Sequence, residues 1–135
     1  MQAIAETNPL LRIDFRIPFD RIRAEHVQAA TAELLREARE RLAALAGQAG
    51  ARTFDNTVRV LDELTEPLDL AMAVVRHLES VATYPELRAA FNAAQPEVSA
   101  FYTGIALNAE LWQGIKAFAA TDEAAALTGE RKSVV

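Results

Sequence analysis

The stretch from Thr83 to Phe118 carries an apolar stripe that only a helix can use. Leu87, Phe91, Ala94, Val98, Phe101 and Ile105 recur at alternating steps of four and three. Residues so spaced share one face of an α-helix, whereas a strand would send them to both sides. Six of the nine aromatic rings lie in the same stretch: Tyr84, Phe91, Phe101, Tyr102, Trp112 and Phe118. Aromatic side chains bring the largest apolar area per residue. This segment therefore reads as the helix on which the others pack.

Two more stripes of the same period flank it. From Ala24 to about Gly47 the apolar positions are Val27, Ala30, Leu34, Ala38, Leu42 and Leu45, and Gly47 and Gly50 follow as stop signals. Thr53 or Asp55 then offers a side-chain oxygen to cap a new helix. Its stripe is Val58, Leu61, Leu64, Leu68, Met72, Val75, Leu78 and Ala82, in phase across Pro67. Proline inside a helix costs about 3 kcal/mol, so the choice is one kinked helix or two meeting at Glu66-Pro67. The unbroken phase favours one.

Pro85 fits the first turn of the aromatic-rich helix. Pro96 predicts a bend within it. Asn108 is a cap for a further segment with Leu111, Trp112, Ile115 and Phe118 inward. Thr121-Asp122 opens a short piece, and Thr128 a last helix. That helical signal runs to Val135 with no C-cap, the pattern of a domain truncated at its C-terminus.

Residues 1–23 differ. Asn8-Pro9 and Ile17-Pro18 disfavour helix, yet Leu10, Leu11, Ile13, Phe15, Ile17, Phe19 and Ile22 are too apolar for a free tail. The expectation is an extended arm over residues 1–23, its apolar side chains seated in grooves of a larger body. Residues 24–135 form the helical domain. With short loops between long helices, neighbours pack antiparallel. The fold class is all-α: an antiparallel bundle of about four main helices with an extended N-terminal arm.

At 135 residues, 51% apolar and 24% charged, the chain is one domain's worth and can bury a core. The absence of Cys excludes disulfides, thiolate metal sites and cysteine nucleophiles. The N-terminus lacks a signal peptide's cationic start, and no stretch approaches the roughly 18 apolar residues of a membrane span. A cytoplasmic protein is expected, with no membrane partner. Net charge is −5 without any basic run, so nucleic acid is a poor partner.

Catalytic chemistry is missing. His26 and His77 have no second His one turn away, and neither sits in H-E-x-x-H. Both read as surface or capping residues. Asp62, Glu63, Glu66 and Asp69 form the densest acidic cluster, on a helix face where solvation is the ordinary role. Ser80, Ser99 and Ser133 have no neighbouring base, and no glycine-rich phosphate loop exists. No catalytic, cofactor-binding or metal residue is assigned.

Five short segments nevertheless recur in a known order. N-P-L-L (Asn8 to Leu11), I-R-A-E-H-V (Ile22 to Val27), T-F-D-N-T-V (Thr53 to Val58), R-H-L-E-S-V (Arg76 to Val81) and P-E-L-R (Pro85 to Arg88) stand in sequence. Together they resemble the N-terminal region of the oligopeptidase A branch of the thimet oligopeptidase family. The likeness continues through Tyr102 to Leu111 and the closing L-T-G-E-R-K-S-V-V. Gly129 departs from it, since relatives often carry Pro there.

The resemblance implies a much longer, nearly all-helical zinc metallopeptidase that cuts short peptides inside a deep channel. Its zinc is held by the two His of an H-E-x-x-H helix and a downstream Glu, none of which is in this chain. The chain would then be a non-catalytic domain forming part of the channel wall, inactive alone. Its cofactor would be none, with zinc in the full-length parent. Its partner would be the C-terminal catalytic part of the same polypeptide. The alternative is a free-standing helical module that binds a partner helix or protein through its apolar stripe; a third reading is a helical domain that self-associates through apolar surface exposed because its other half is missing.

Overall fold

The computed structural model describes residues 8–134. The first seven residues of the expected arm and the final Val135 of the helical domain lie outside them. Six α-helices follow in order: α1 (Ala24–Ala46), α2 (Arg59–Val81), α3 (Pro85–Ala106), α4 (Ala109–Ala119), α5 (Asp122–Ala125) and α6 (Gly129–Val134). A 3-10 turn, Phe19–Arg21, precedes α1, and a π-helical turn, Phe54–Val58, runs straight into α2. No strand occurs among the described residues. The fold is an all-α helical bundle of four long helices.

The expected hub is corrected. Helix α1, not the aromatic-rich α3, is the element on which the others pack: it touches α3 and α2 along its length and also reaches α4. Its buried set is wider than the stripe read from sequence, because Thr31, Leu35 and Ala46 join Val27, Ala30, Leu34, Ala38, Leu42 and Leu45. A helix lying between two others needs such a broadened apolar face. Helix α3 buries only Leu87, Phe91, Ala94 and Phe101.

Helix α2 continues through Pro67, and α3 through Pro96. Each proline leaves the carbonyl four residues earlier, on Glu63 and Asn92, without its helical donor. Both prolines and both of those residues are on exposed surface, where water can take the donor's place.

Helix ends are closed by local chemistry. The Thr53 hydroxyl accepts from the Asn56 N–H at 3.0 Å, and the Asn56 side chain accepts from the Thr53 N–H at 2.8 Å. This reciprocal capping box satisfies two amides left over by the first turn. Asn108 and Thr121 cap α4 and α5. The phenol oxygen of Tyr84 accepts from the Ala24 N–H at 2.9 Å, so α1 is capped from 60 residues away.

The leader is built of turns. Asn8 is 4% exposed: its Nδ2 donates to the His26 carbonyl at 2.9 Å, and its Oδ1 accepts from the Leu10 N–H at 3.1 Å. Leu10 and Ile22 are buried in this chain's own core, and Leu11, Ile13 and Ile17 lie half-buried against it. Phe15 projects into solvent.

A second apolar cluster closes the far end. Phe54, Val58 and Phe118 form it, with the Phe54 and Phe118 rings edge-on at 6.3 Å. Ala124 and Leu127 pack on this cluster, and the Arg131 guanidinium of α6 sits 5.0 Å from the Phe54 ring centre.

Candidate functional site

The two histidines serve structure. The His26 Nδ1 accepts from the Arg23 backbone N–H at 2.9 Å, helping close the start of α1. The His77 ring lies 5.7 Å from that of Phe19, packing the 3-10 turn against α2. Ser80 donates its hydroxyl to the His77 carbonyl, a local helix contact.

Among the described residues, no three His, Asp or Glu side chains gather where they could hold a metal ion. His26 uses its Nδ1 on a backbone amide and His77 packs its ring near Phe19, so neither is aimed at a cluster of further donors among the described residues.

The four acids of α2 line overlapping concavities of its exposed face. Glu63 and Glu66 line a cleft beneath the leader, opposite Arg12 and Arg41. Asp62 faces a groove shared with α3 and α4. Asp69 accepts a hydrogen bond from the Tyr102 phenol of α3. Burial first, and then that hydrogen bond to a carboxylate, push the Tyr102 phenol above its ordinary range. Asp62, Glu66 and Asp69 also line one open concavity with Leu70 on the exposed face of α2.

The groove beside Asp62 exposes the most apolar surface of the clefts. Leu61, Tyr102, Ile105, Trp112 and Ile115 line it, with Val58 at one end, around about 390 Å³. Sequence reading placed Trp112 inward, and the structure corrects this: its side chain is on the rim, 54% exposed. The inner face of α4 is formed by Leu111, Gly114 and Phe118. Gly114 takes an inward position because the Arg52 side chain fills the space above it. An apolar stripe counted by side-chain size could not find a glycine that belongs to the inner face.

Several segments singled out in the sequence join in space. Asn8 of N-P-L-L bonds to His26 of I-R-A-E-H-V. Glu79 of R-H-L-E-S-V pairs with Arg88 of P-E-L-R at 3.1 Å, across the turn between α2 and α3. T-F-D-N-T-V holds both members of the Thr53–Asn56 box. These contacts set helix starts and helix connections, so the motifs specify architecture.

Comparison with known proteins agrees. The model of the neurolysin/thimet oligopeptidase N-terminal domain matches residues 31–135. Oligopeptidase A of Escherichia coli (strain K12) is 31% identical over 129 residues, covering 96% of this chain and 19% of the relative. Oligopeptidase A of Haemophilus influenzae is 32% identical over 99 residues, covering 73% of this chain and 14% of the relative. A probable cytosolic oligopeptidase A of Arabidopsis thaliana is 29% identical over 130 residues, covering 96% of this chain and 18% of the relative. The chain spans about a fifth or less of the length of these relatives. No solved structure matches it. Helices, caps and matched segments together lead to one conclusion: the chain belongs to the neurolysin/thimet oligopeptidase family and corresponds to that family's N-terminal domain.

Proposed function

We propose that this chain is the non-catalytic N-terminal helical domain of a zinc-dependent oligopeptidase of the oligopeptidase A kind. It contributes part of the wall of the substrate channel, so that short peptides reach the catalytic centre and folded proteins do not. The catalytic centre and its zinc belong to the C-terminal part of the same polypeptide. No residue of this chain is catalytic or ligates metal, and the chain alone hydrolyses nothing.

The observation that carries this reading is the family match over residues 31–135, in a chain that covers 19% of the length of Escherichia coli oligopeptidase A. The side-chain chemistry is in keeping: His26 and His77 are occupied with capping and packing. A cytoplasmic setting is supported by the probable cytosolic relative.

The test compares the 135-residue chain with the whole polypeptide. Zinc content is measured by atomic emission and hydrolysis with an internally quenched peptide. The reading expects zinc and hydrolysis only in the whole polypeptide. One equivalent of zinc, or hydrolysis, in the tag-free 135-residue chain overturns it.

A further inference from the structure

We propose that the groove between α2, α3 and α4 is the seat on which the catalytic part of the same polypeptide docks, through an apolar element of that part. This inference rests on the functional reading above and adds to it the contact surface.

Other clefts compete for such a role, and their chemistry separates them. The cleft under the leader is walled by Arg12, Arg41, Glu63 and Glu66. The one farther along α2 and α3 carries Asp69, Arg76 and Gln95. The cleft at the start of α3, lined by Thr83, Tyr84, Pro85 and Arg88, is also apolar, but the groove around Trp112, lined by Leu61, Ile105 and Ile115, exposes the larger apolar surface. Leaving a half-exposed Trp beside such a surface forgoes burial worth roughly 25 cal/mol per Å².

The groove is also fixed in shape before anything enters it. The Tyr102 hydroxyl is held by Asp69. The Lys116 ammonium sits 5.6 Å from the Trp112 ring centre. Both aromatic walls are therefore positioned by polar partners, which lowers the ordering cost of a docked element.

The path of the chain selects the occupant. Val58 belongs both to the groove and to the second apolar cluster with Phe54 and Phe118. Leu127 packs on that cluster, and Arg131 of α6 covers Phe54. In a polypeptide of the relatives' length, the segment continuing from α6 would therefore leave from the end of the bundle where Val58 joins this cluster to the groove. Tethering on that scale gives effective concentrations around the millimolar range, so the attached part outcompetes a second copy at micromolar protein.

Residues 1–135 contain no Cys, so an introduced thiol gives the one alkylated peptide from this region. Trp112→Cys is placed on the groove rim, and Thr65→Cys on the opposite wall as a smaller change. Arg39→Cys, on the exposed face of α1, is the control. Alkylation by N-ethylmaleimide is followed by peptide mass mapping, in the 135-residue chain and in the whole polypeptide. The expected result is labelling at Trp112→Cys and Thr65→Cys at least tenfold slower in the whole polypeptide, with Arg39→Cys equal in both.

Equal rates at the groove positions, in a whole polypeptide that hydrolyses peptides, overturn this inference and leave the functional reading standing. Protection already present in the 135-residue chain, and lost on dilution, assigns the groove to a second copy and also overturns it. A coding frame that stops at Val135 overturns both readings together.

Discussion

The Arg52 guanidinium lies against Gly114, so close that a Cβ built on that glycine would stand 2.9 Å from Cζ and Nη2. Arg52 is 8% exposed and donates to the carbonyls of Leu45 (2.9 Å), Ala46 (3.4 Å) and Gln48 (3.2 Å). These carbonyls lie at and just past the end of α1, where helical donors run out. One side chain thus closes α1 and sets how near α4 can come. Glycine, a poor helix former, is the residue that fits beneath it.

Gly114→Ala lowers unfolding free energy by about 1–3 kcal/mol, because the added methyl must displace a hydrogen-bonded guanidinium. Gly104 in α3 has nothing within 4 Å of a built Cβ. Gly104→Ala there raises stability by up to about 1 kcal/mol through helix propensity. Urea melts of the two variants should move in opposite directions. A shift of the same sign in both would contradict the Arg52 clamp.

Arg52→Ala removes charge-assisted bonds worth about 1.5–3 kcal/mol and lowers stability by that order. It also removes the obstacle to a methyl at position 114. In the Arg52→Ala background, Gly114→Ala should become neutral or stabilising. A double-mutant cycle measures the coupling, expected between about 0.5 and 3 kcal/mol. Simple additivity would show that the glycine answers to something else.

Helix periods, caps and breaks were legible because each rests on short-range chemistry. Val27 to Leu45, Val58 to Val75 and Leu87 to Phe101 announce their faces by spacing, and Thr53, Pro85 and Asn108 announce helix starts. The hidden features depend on contacts distant in sequence. Tyr84 capping Ala24 is one case, and Arg52 over Gly114 is another. Ring count points to α3 as the centre, whereas Leu, Ala and Val on the broader face of α1 decide it. The groove has no mark in the sequence, because the size of Trp112 suggests burial while its position is the rim.

Asn8 anchors the leader. Asn8→Ala removes the bond to the His26 carbonyl and the turn that points Leu10 into the core. The loss expected is about 1–3 kcal/mol, as for a buried group left unpaired. Trypsin should then cut sooner at the exposed Arg12 and Arg16, which limited digestion followed by mass spectrometry reports. Unchanged digestion would mean the leader is held by its apolar contacts alone.

Tyr102 makes stability depend on alkaline pH. Its folded pKa is raised above the ordinary value of about 10 by burial and by the Asp69 carboxylate. A raised folded pKa means that the phenol's contribution is fully present below the unfolded pKa and is lost as pH rises through the folded one. Urea midpoints should therefore fall from about pH 9 upward in the native sequence. In Tyr102→Phe they should start lower and fall less steeply over the same range. An identical slope in both would show that the Tyr102 phenol is not the group responsible.

The central claim is that this domain serves a zinc oligopeptidase whose chemistry lies elsewhere in the same polypeptide. Sequencing the coding DNA beyond the Val135 codon tests it most directly. The predicted result is an open frame of several hundred codons that contains H-E-x-x-H and a downstream Glu. A stop codon directly after Val135, or a long frame without that motif, would contradict it.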